Sequence, residues 1–202
     1  MVSVYDIKPK FQALLRPISN GLARAGATAN QVTLAALALS LAVGAVIFVY
    51  RDQPRILLLL PVTMFVRMAL NAIDGMLARE HHMASRLGAV LNELSDVISD
   101  AALYLPLAVV PGFDSYLMVL IVLLAVISEM AGVVAVQIGS RRRYDGPMGK
   151  SDRAFVLGTV GFAIGMGAPT GRWLDILLAI VVALLVLTII HRCYRALRET
   201  TP

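Results

Sequence analysis

Apolar residues dominate this chain in long runs that short polar segments separate. Each run approaches the length of about 20 residues that an α-helix needs to cross the hydrocarbon core of a bilayer. The fifth run is short and rich in glycine. The pattern predicts an all-α, polytopic membrane protein forming one domain over residues 1–202. We place its six transmembrane helices at residues 31–50, 56–78, 88–110, 116–138, 154–169 and 173–191.

The segment before the first apolar run has a different pattern, in which apolar positions recur at helical spacing with Lys and Arg between them. This pattern is typical of an amphipathic helix that lies in the membrane interface. The apolar positions are Ile7, Phe11, Leu14, Leu15, Ile18 and Leu22. We therefore divide the domain into an interfacial helix (residues 1–28), a six-helix bundle (29–192) and a basic cytoplasmic tail (193–202).

Charge is scarce and unevenly distributed. Hydrophobic residues make up 58% of the chain and charged residues 15%, against about 25% charged in soluble domains. Fourteen of the 18 Lys and Arg residues lie in the segments on one predicted side of the membrane, which include both termini. The loops on the opposite side hold only Arg51, Arg55 and Arg172. This distribution explains the net charge of +5 without a nucleic-acid partner. By the positive-inside rule, both termini face the cytoplasm, as expected for a bacterial plasma (inner) membrane protein.

Polar side chains interrupt the second and third apolar runs, where a membrane segment normally excludes them. Arg67, Asn71 and Asp74 share one helical face with Gly75 and Ala78. The third run carries a narrow stripe of oxygen-bearing side chains: Asn92, Glu93, Asp96 and Asp100. Buried charge of this kind is costly and usually functional. Because Mg²⁺ and Mn²⁺ prefer oxygen ligands, the cluster predicts a divalent-cation site on the cytoplasmic side. The structural alternative is a set of hydrogen bonds that joins the helices.

Three other groups of residues carry predictions. Lys150 and Arg153 stand beside a glycine-rich turn, where they suit an anionic group such as the phosphate of a substrate. The neighbouring Arg141, Arg142 and Arg143 either share that role or only set the topology. Glu129, inside the fourth run, needs a partner, for which Arg67 and Asp100 are the candidates, and we favour a structural pair with Arg67 over a catalytic role. A final group is Gly158, Gly161 and Gly165, which predict close helix packing within the bundle or in a homodimer, the expected assembly.

The polar cluster resembles the signature of the CDP-alcohol phosphatidyltransferase family, D-x2-D-G-x2-A-R followed after eight or nine residues by G-x3-D-x3-D. This chain reads NAIDGMLAR, eight residues, then GAVLNELSD. The first and third aspartates of the family are Asn71 and Asn92 here. The segment from Thr28 to Thr33 is also similar to the family's entry to the first span. The positions that match are Asp74, Gly75, Ala78, Arg79, Gly88 and Asp96.

The resemblance implies a chemistry and a role for each of these positions. The four acidic positions of the motif, here Asn71, Asp74, Asn92 and Asp96, would hold one or two Mg²⁺ or Mn²⁺ ions. The nucleotide of CDP-diacylglycerol would bind the CDP-contacting residues Asp74, Gly75, Ala78, Arg79 and Gly88. Asp96 would be the general base that activates the hydroxyl of a small, phosphorylated acceptor such as glycerol phosphate or inositol phosphate, with release of CMP.

The two asparagines leave alternatives open. Either one ion is held tightly and the substrate recruits a second, or Glu93 or Asp100 supplies the missing charge. A different class of function is a family member with weakened catalysis that binds CDP-lipid in a regulatory or structural role. An ion or proton carrier would explain the buried acids, but it would not explain Gly75, Ala78, Arg79 and Gly88 at their spacing.

Overall fold

The computed structural model describes the backbone of residues 4–200 and the side chains of residues 10–199. Within this part of the chain there are seven α-helices, two 3-10 segments (Pro54–Leu58 and Leu105–Val109) and no β-strand, so the all-α prediction is confirmed. The helices are α1 (Val4–Arg24), α2 (Ala29–Val49), α3 (Leu59–Glu80), α4 (Arg86–Tyr104), α5 (Ser115–Gln137), α6 (Lys150–Gly165) and α7 (Arg172–Thr200).

Four helical stretches of the described residues are long and apolar enough to cross a membrane. They are Ala29–Val49, Pro54–Glu80, Ser115–Gln137 and Arg172–Glu199, and they correspond to the first, second, fourth and sixth predicted spans. The other two predicted spans fall on α4, which carries three carboxylates, and on α6, which has only 16 residues. The chain is a membrane protein with four candidate spans, and crossing by α4 and α6 stays a prediction.

Several helix ends follow local sequence rules. Thr28 begins α2 as a capping box, because its hydroxyl accepts the Gln31 N–H and its own N–H donates to Gln31 Oε1. Asp114 caps α5 by accepting the Leu117 N–H at 2.9 Å. In the third predicted span, the α-helix ends at Tyr104, before the predicted end of the span, and a 3-10 segment follows it. The α-helix does not continue because Pro106 lacks the backbone N–H that it would need.

The chain divides into two compact units. The first contains the chain up to Ala42 together with Val62–Ser99, and the second contains Val43–Pro61 and the chain from Asp100 onward. In the first unit, a buried apolar core joins α1, α2 and α3. Its members are Leu15, Ala29, Val32, Ile73, Met76 and Leu77. A hydrogen-bonded ion pair between Arg16 and Glu80, at 3.0 Å, adds a contact between α1 and α3.

Helix α1 is apolar on more than one side. Leu15 is buried in the core, whereas Leu14 is 72% exposed and Ile18 is 53% exposed. The helix is continuous through Pro17. One side of α1 therefore packs on the protein, and the exposed apolar residues agree with an interfacial position, which stays a prediction.

In the second unit, α5 packs along α7, and α6 packs against the 3-10 segment before α3. A Cβ atom on Gly161 would lie 2.8 Å from Leu60 Cδ1, and one on Gly165 would lie 2.8 Å from Leu58 Cδ2. These glycines therefore serve close packing within the chain, and they give a homodimer no support. Helix α7 continues through residues 193–200, which we had predicted to be a separate tail.

Candidate active site and a buried arginine cluster

The polar faces of α3 and α4 meet in the first unit, as the sequence predicted. Asn71 Nδ2 donates a hydrogen bond of 3.0 Å to Asp96 Oδ1, and the Arg67 guanidinium lies 3.8 Å from the same oxygen. The Arg67 side chain is 7% exposed and that of Asp96 is 17% exposed. An amide and an arginine therefore position the carboxylate that the sequence analysis assigned as the general base.

Asp74 is the second carboxylate of this unit, and it is buried. The hydroxyl of Thr33, on α2, donates a hydrogen bond of 2.8 Å to Asp74 Oδ2. Sequence reasoning noted Thr33 only as part of the entry to the first span and missed its contact with Asp74. The contact joins two parts of the family signature that lie 41 residues apart.

The residues assigned to the nucleotide lie close to long polar side chains. The Arg79 guanidinium folds back over Gly75, so that a Cβ atom there would lie 3.0 Å from Arg79 Nη2. Gly88 faces α2, where an added Cβ would lie 2.7 Å from Asn30 Oδ1. Ala78, which follows Gly75 by three residues on α3, also has a small side chain. A side chain at Gly88 would therefore have to displace Asn30, whereas one at Gly75 would meet only the end of the flexible Arg79 side chain.

The oxygen donors of α3 and α4 suit a divalent cation. Asp74 and Asp96 carry the charge to balance one such ion, and Asn71 and Asn92 add carbonyl oxygens of the kind that Mg²⁺ and Mn²⁺ accept. Within residues 10–199, no group of three or more His, Cys, Asp or Glu lies together as a metal site. The charge of these two carboxylates balances one divalent ion, because the family's other two aspartates are amides here.

The two further candidates for the metal site differ in their surroundings. Glu93 is half-buried on α4. Asp100 is buried, and its Oδ2 lies 3.0 Å from Arg153 Nη2 in the second unit. Asp100 would have to give up part of this ion pair to ligate a metal, so its geometry favours a structural role.

The second unit contains a buried cluster of charged residues that we call the arginine cluster: Glu129, Asp100, Arg142, Arg153 and Arg192. Glu129 Oε1 lies 3.2 Å from Arg153, and Glu129 Oε2 lies 3.0 Å from Arg142 and 3.4 Å from Arg192. The side chains of Arg153 and Arg192 are each 1% exposed. The sequence analysis favoured Arg67 as the partner of Glu129, but the structure gives Glu129 three other arginines.

The remaining residues assigned to the acceptor lie nearby in the same unit. Arg143 is buried between Asp145 and Glu199, at 3.0 Å from a carboxylate oxygen of each. Arg141 is well exposed, with its Nε 3.4 Å from Glu199. Lys150 is half-buried at the start of α6. Of the five predicted acceptor contacts, Arg142, Arg143 and Arg153 are thus engaged by carboxylates of the chain at 3.0 to 3.2 Å.

Comparison with known proteins assigns the chain to a class. The family model described as CDP-alcohol phosphatidyltransferase matches residues 27–192, and the chain belongs to this family, as its signature indicated. A relative in Escherichia coli (strain K12), the inner membrane protein YnbA, is 47% identical over 192 residues, which cover 95% of each chain.

Solved structures share the fold. The phosphatidylinositol phosphate synthase PgsA1 of Mycobacterium tuberculosis with CDP-DAG bound has a TM-score of 0.77 and 23% identity, covering 91% of this chain and 94% of that one. The same synthase with manganese and citrate has a TM-score of 0.76 and 23% identity, covering 90% and 88%. At this identity the likeness concerns the fold.

Proposed function

We propose that this protein transfers a phosphatidyl group from CDP-diacylglycerol to the hydroxyl of a small polar acceptor and releases CMP. The observation that carries the proposal is the pairing of α3 and α4, which joins the two halves of the family signature through the bond from Asn71 to Asp96. Family membership and the CDP-DAG bound by PgsA1, a protein of the same fold, support a CDP-lipid as the donor.

In this mechanism Asp96 accepts the proton of the acceptor hydroxyl. The resulting oxygen nucleophile attacks the phosphorus that carries the diacylglycerol group, and the bond from that phosphorus to the bridging oxygen breaks, so that CMP leaves. Arg67 and Asn71 keep the Asp96 carboxylate oriented toward the acceptor. The CDP group lies along the face from Asp74 to Arg79, with Gly88 opposite.

The reaction also needs charge neutralisation at the pyrophosphate. A bound Mg²⁺ or Mn²⁺, held by Asn71, Asp74, Asn92 and Asp96, would supply this as a Lewis acid. Manganese in a PgsA1 structure supports the metal dependence. The site is proposed to face the cytoplasm of a bacterial inner membrane, with both termini on the same side, because the Lys and Arg residues gather at that side. The proposed arrangement has six spans in total, with α1 in the membrane interface.

The acceptor side of the reaction concerns the basic residues of the second unit. A phosphorylated acceptor was predicted from Lys150, Arg153 and Arg141 to Arg143. Lys150 is half-buried and Arg141 is exposed, but Arg141 lies 3.4 Å from Glu199, and the buried Arg143 and Arg153 also face carboxylates. These ion pairs weigh against the phosphate and leave the hydroxyl group as the common feature of the acceptors to be tested.

The direct test uses protein purified in detergent with labelled CDP-diacylglycerol, Mg²⁺ or Mn²⁺ and a panel of acceptors. We expect CMP release that depends on one acceptor and falls by about 10²- to 10⁴-fold in Asp96→Asn, since a general base contributes that much. Asp175→Asn, which changes an exposed carboxylate on α7, is the matched control. The proposal would be contradicted if CMP release by the parent protein did not depend on any acceptor. Full CMP release by Asp96→Asn would also contradict it.

A second candidate function is favoured by one observation. Asn71 and Asn92 stand where the family has aspartates, so a chain that binds CDP-lipid without efficient turnover is consistent with the reduced charge. Binding of CDP-diacylglycerol without acceptor-dependent CMP release would support this function over transfer.

A further inference from the structure

Thr33, in the second turn of α2, places a buried hydroxyl against Asp74 of α3. Both residues belong to the first unit, and each is 6% exposed. Thr33 Oγ1 donates a hydrogen bond of 2.8 Å to Asp74 Oδ2. A carboxylate has about four lone-pair sites, so Asp74 can accept this bond and still ligate an ion. The hydroxyl therefore contacts a residue assigned to the metal without taking the place of the metal.

Helix packing fixes the backbone of Thr33 relative to that of Asp74. Val32 and Ile73, which precede these residues in the chain, are both members of the buried core that joins α1, α2 and α3. The capping box described above fixes the start of α2 within the preceding turn. Close-packed cores leave little room for neighbouring helices to shift. The Thr33 hydroxyl thus reaches Asp74 from a rigid element.

The Thr33 hydroxyl does not depend on Asp74 for its own place. It also lies 3.1 Å from the carbonyl oxygen of Ala29, one turn earlier in α2, a contact that helical threonines commonly make. A hydroxyl has one hydrogen, and the charged acceptor at the shorter distance competes better for it, because charge-assisted hydrogen bonds are stronger. Thr33 would keep an acceptor without Asp74, whereas Asp74 would lose a donor without Thr33.

Resting on the proposed function, we propose that Thr33 is a positioning residue that holds the Asp74 carboxylate in the orientation that binds the divalent cation. Side chains that hydrogen-bond to a metal ligand orient it, and their loss typically lowers metal affinity or activity by about 10- to 100-fold. The alternative is a hydrogen bond that only joins α2 to α3. Loss of such a bond would lower stability and leave the metal affinity unchanged.

The experiment measures Mn²⁺ affinity without nucleotide, by electron paramagnetic resonance of free Mn²⁺, on the full-length protein in detergent. It compares the parent with Thr33→Val, which has nearly the same shape but no hydroxyl, and with Thr33→Ser, which keeps the hydroxyl. We expect Thr33→Val to bind Mn²⁺ about tenfold more weakly than the parent and Thr33→Ser to stay within about threefold of it.

Ser40→Ala is the matched control. Ser40 is a fully buried residue on the same helix, and its hydroxyl donates to the Ala36 carbonyl oxygen at 2.8 Å. The variant should bind Mn²⁺ like the parent. Unfolding in SDS compares its stability with that of Thr33→Val, so that a loss of metal affinity is separated from a loss of stability. If Thr33→Val does not fold, as judged by circular dichroism and gel filtration, Thr33→Ala takes its place.

A second arm measures CMP release at increasing Mn²⁺ concentrations. Thr33→Val should need about tenfold more Mn²⁺ than the parent for its half-maximal rate, and it should approach the rate of the parent once Mn²⁺ saturates the site. A variant that was only less stable would instead have a lower rate at every Mn²⁺ concentration.

The possible outcomes separate the two proposals. The role of Thr33 is overturned if Thr33→Val binds Mn²⁺ as tightly as the parent, if Thr33→Ser loses as much affinity as Thr33→Val, or if the parent binds no Mn²⁺. A loss confined to Thr33→Val, without CMP release by the parent from any acceptor, supports the role of Thr33 and overturns phosphatidyl transfer. CMP release by the parent with unchanged Mn²⁺ affinity in Thr33→Val would do the reverse.

Discussion

Two polar centres lie within the apolar helices of this chain, and they differ in how their carboxylates are held. In the first unit, Asp74 accepts a hydroxyl hydrogen bond from Thr33, and Asp96 accepts an amide hydrogen bond and has Arg67 at 3.8 Å. In the second unit, Glu129 faces three guanidinium groups at 3.0 to 3.4 Å.

The difference indicates two uses of buried charge. In the first centre, hydroxyl and amide donors with one more distant guanidinium orient the carboxylates without cancelling their charge closely, which leaves them suited to a cation. Closely spaced arginines cancel the charge and fix it in place. The first centre is therefore suited to chemistry, and the second is suited to stability.

The largest expected effect separates the two centres by their contributions to stability. Glu129→Ala leaves three guanidinium groups, of which those of Arg153 and Arg192 are buried, around a missing anion, so we expect it to lower the free energy of unfolding by about 3 to 5 kcal/mol. Asp96 has one arginine at 3.8 Å, whereas Glu129 has three within 3.4 Å. Asp96→Asn should therefore change the free energy of unfolding by less than about 1 kcal/mol. Unfolding in SDS, followed by circular dichroism, measures both.

If Glu129→Ala and Asp96→Asn lowered the free energy of unfolding equally, the two centres would not differ in their contributions to stability. Glu199→Gln serves as the control for the loss of a carboxylate at the edge of the second unit, because Glu199 is partly exposed beside Arg143.

A smaller effect is expected from restoring the acids of the family signature. The double change Asn71→Asp and Asn92→Asp adds two negative charges to the first centre, and it should raise the affinity for Mn²⁺ by about tenfold, because ligand charge sets the affinity of such sites. Electron paramagnetic resonance of free Mn²⁺ measures the affinity and the number of ions bound.

The same titration distinguishes an active enzyme from a weakened one. Higher Mn²⁺ affinity with a rise in CMP release would favour the binding protein as the parent's function. Two ions bound tightly by the parent would contradict the single-ion interpretation.

Much of the fold was predictable because its signals are local. Apolar runs marked four spans, and Thr28 marked the start of α2. The extension of α7 to Thr200 was missed because a basic, polar segment gives no sign that Ala196 is buried or that Arg192 contacts Ser128 and Asp145. Helical continuity there depends on contacts from distant parts of the chain.

The candidate site, like the fold, was predictable where its signals are local in the sequence and not where they depend on distant residues. The family signature located Asp74, Asp96 and their glycines, because its spacing is a property of two adjacent helices. The partners of Glu129 were not predictable, since Arg142, Arg153 and Arg192 are 13, 24 and 63 residues away in the chain. The contact from Thr33 to Asp74 was missed for the same reason, although Thr33 stands in the segment that resembles the family's entry to the first span.

The measurement that tests the central claim most directly is anomalous diffraction from crystals of the protein grown with Mn²⁺ and without nucleotide. We predict one anomalous peak bordered by the carboxylates of Asp74 and Asp96, and its loss in Asp74→Ala. A peak elsewhere in the molecule with none beside these two residues would contradict the assignment of this face of α3 and α4 as the metal-dependent active site.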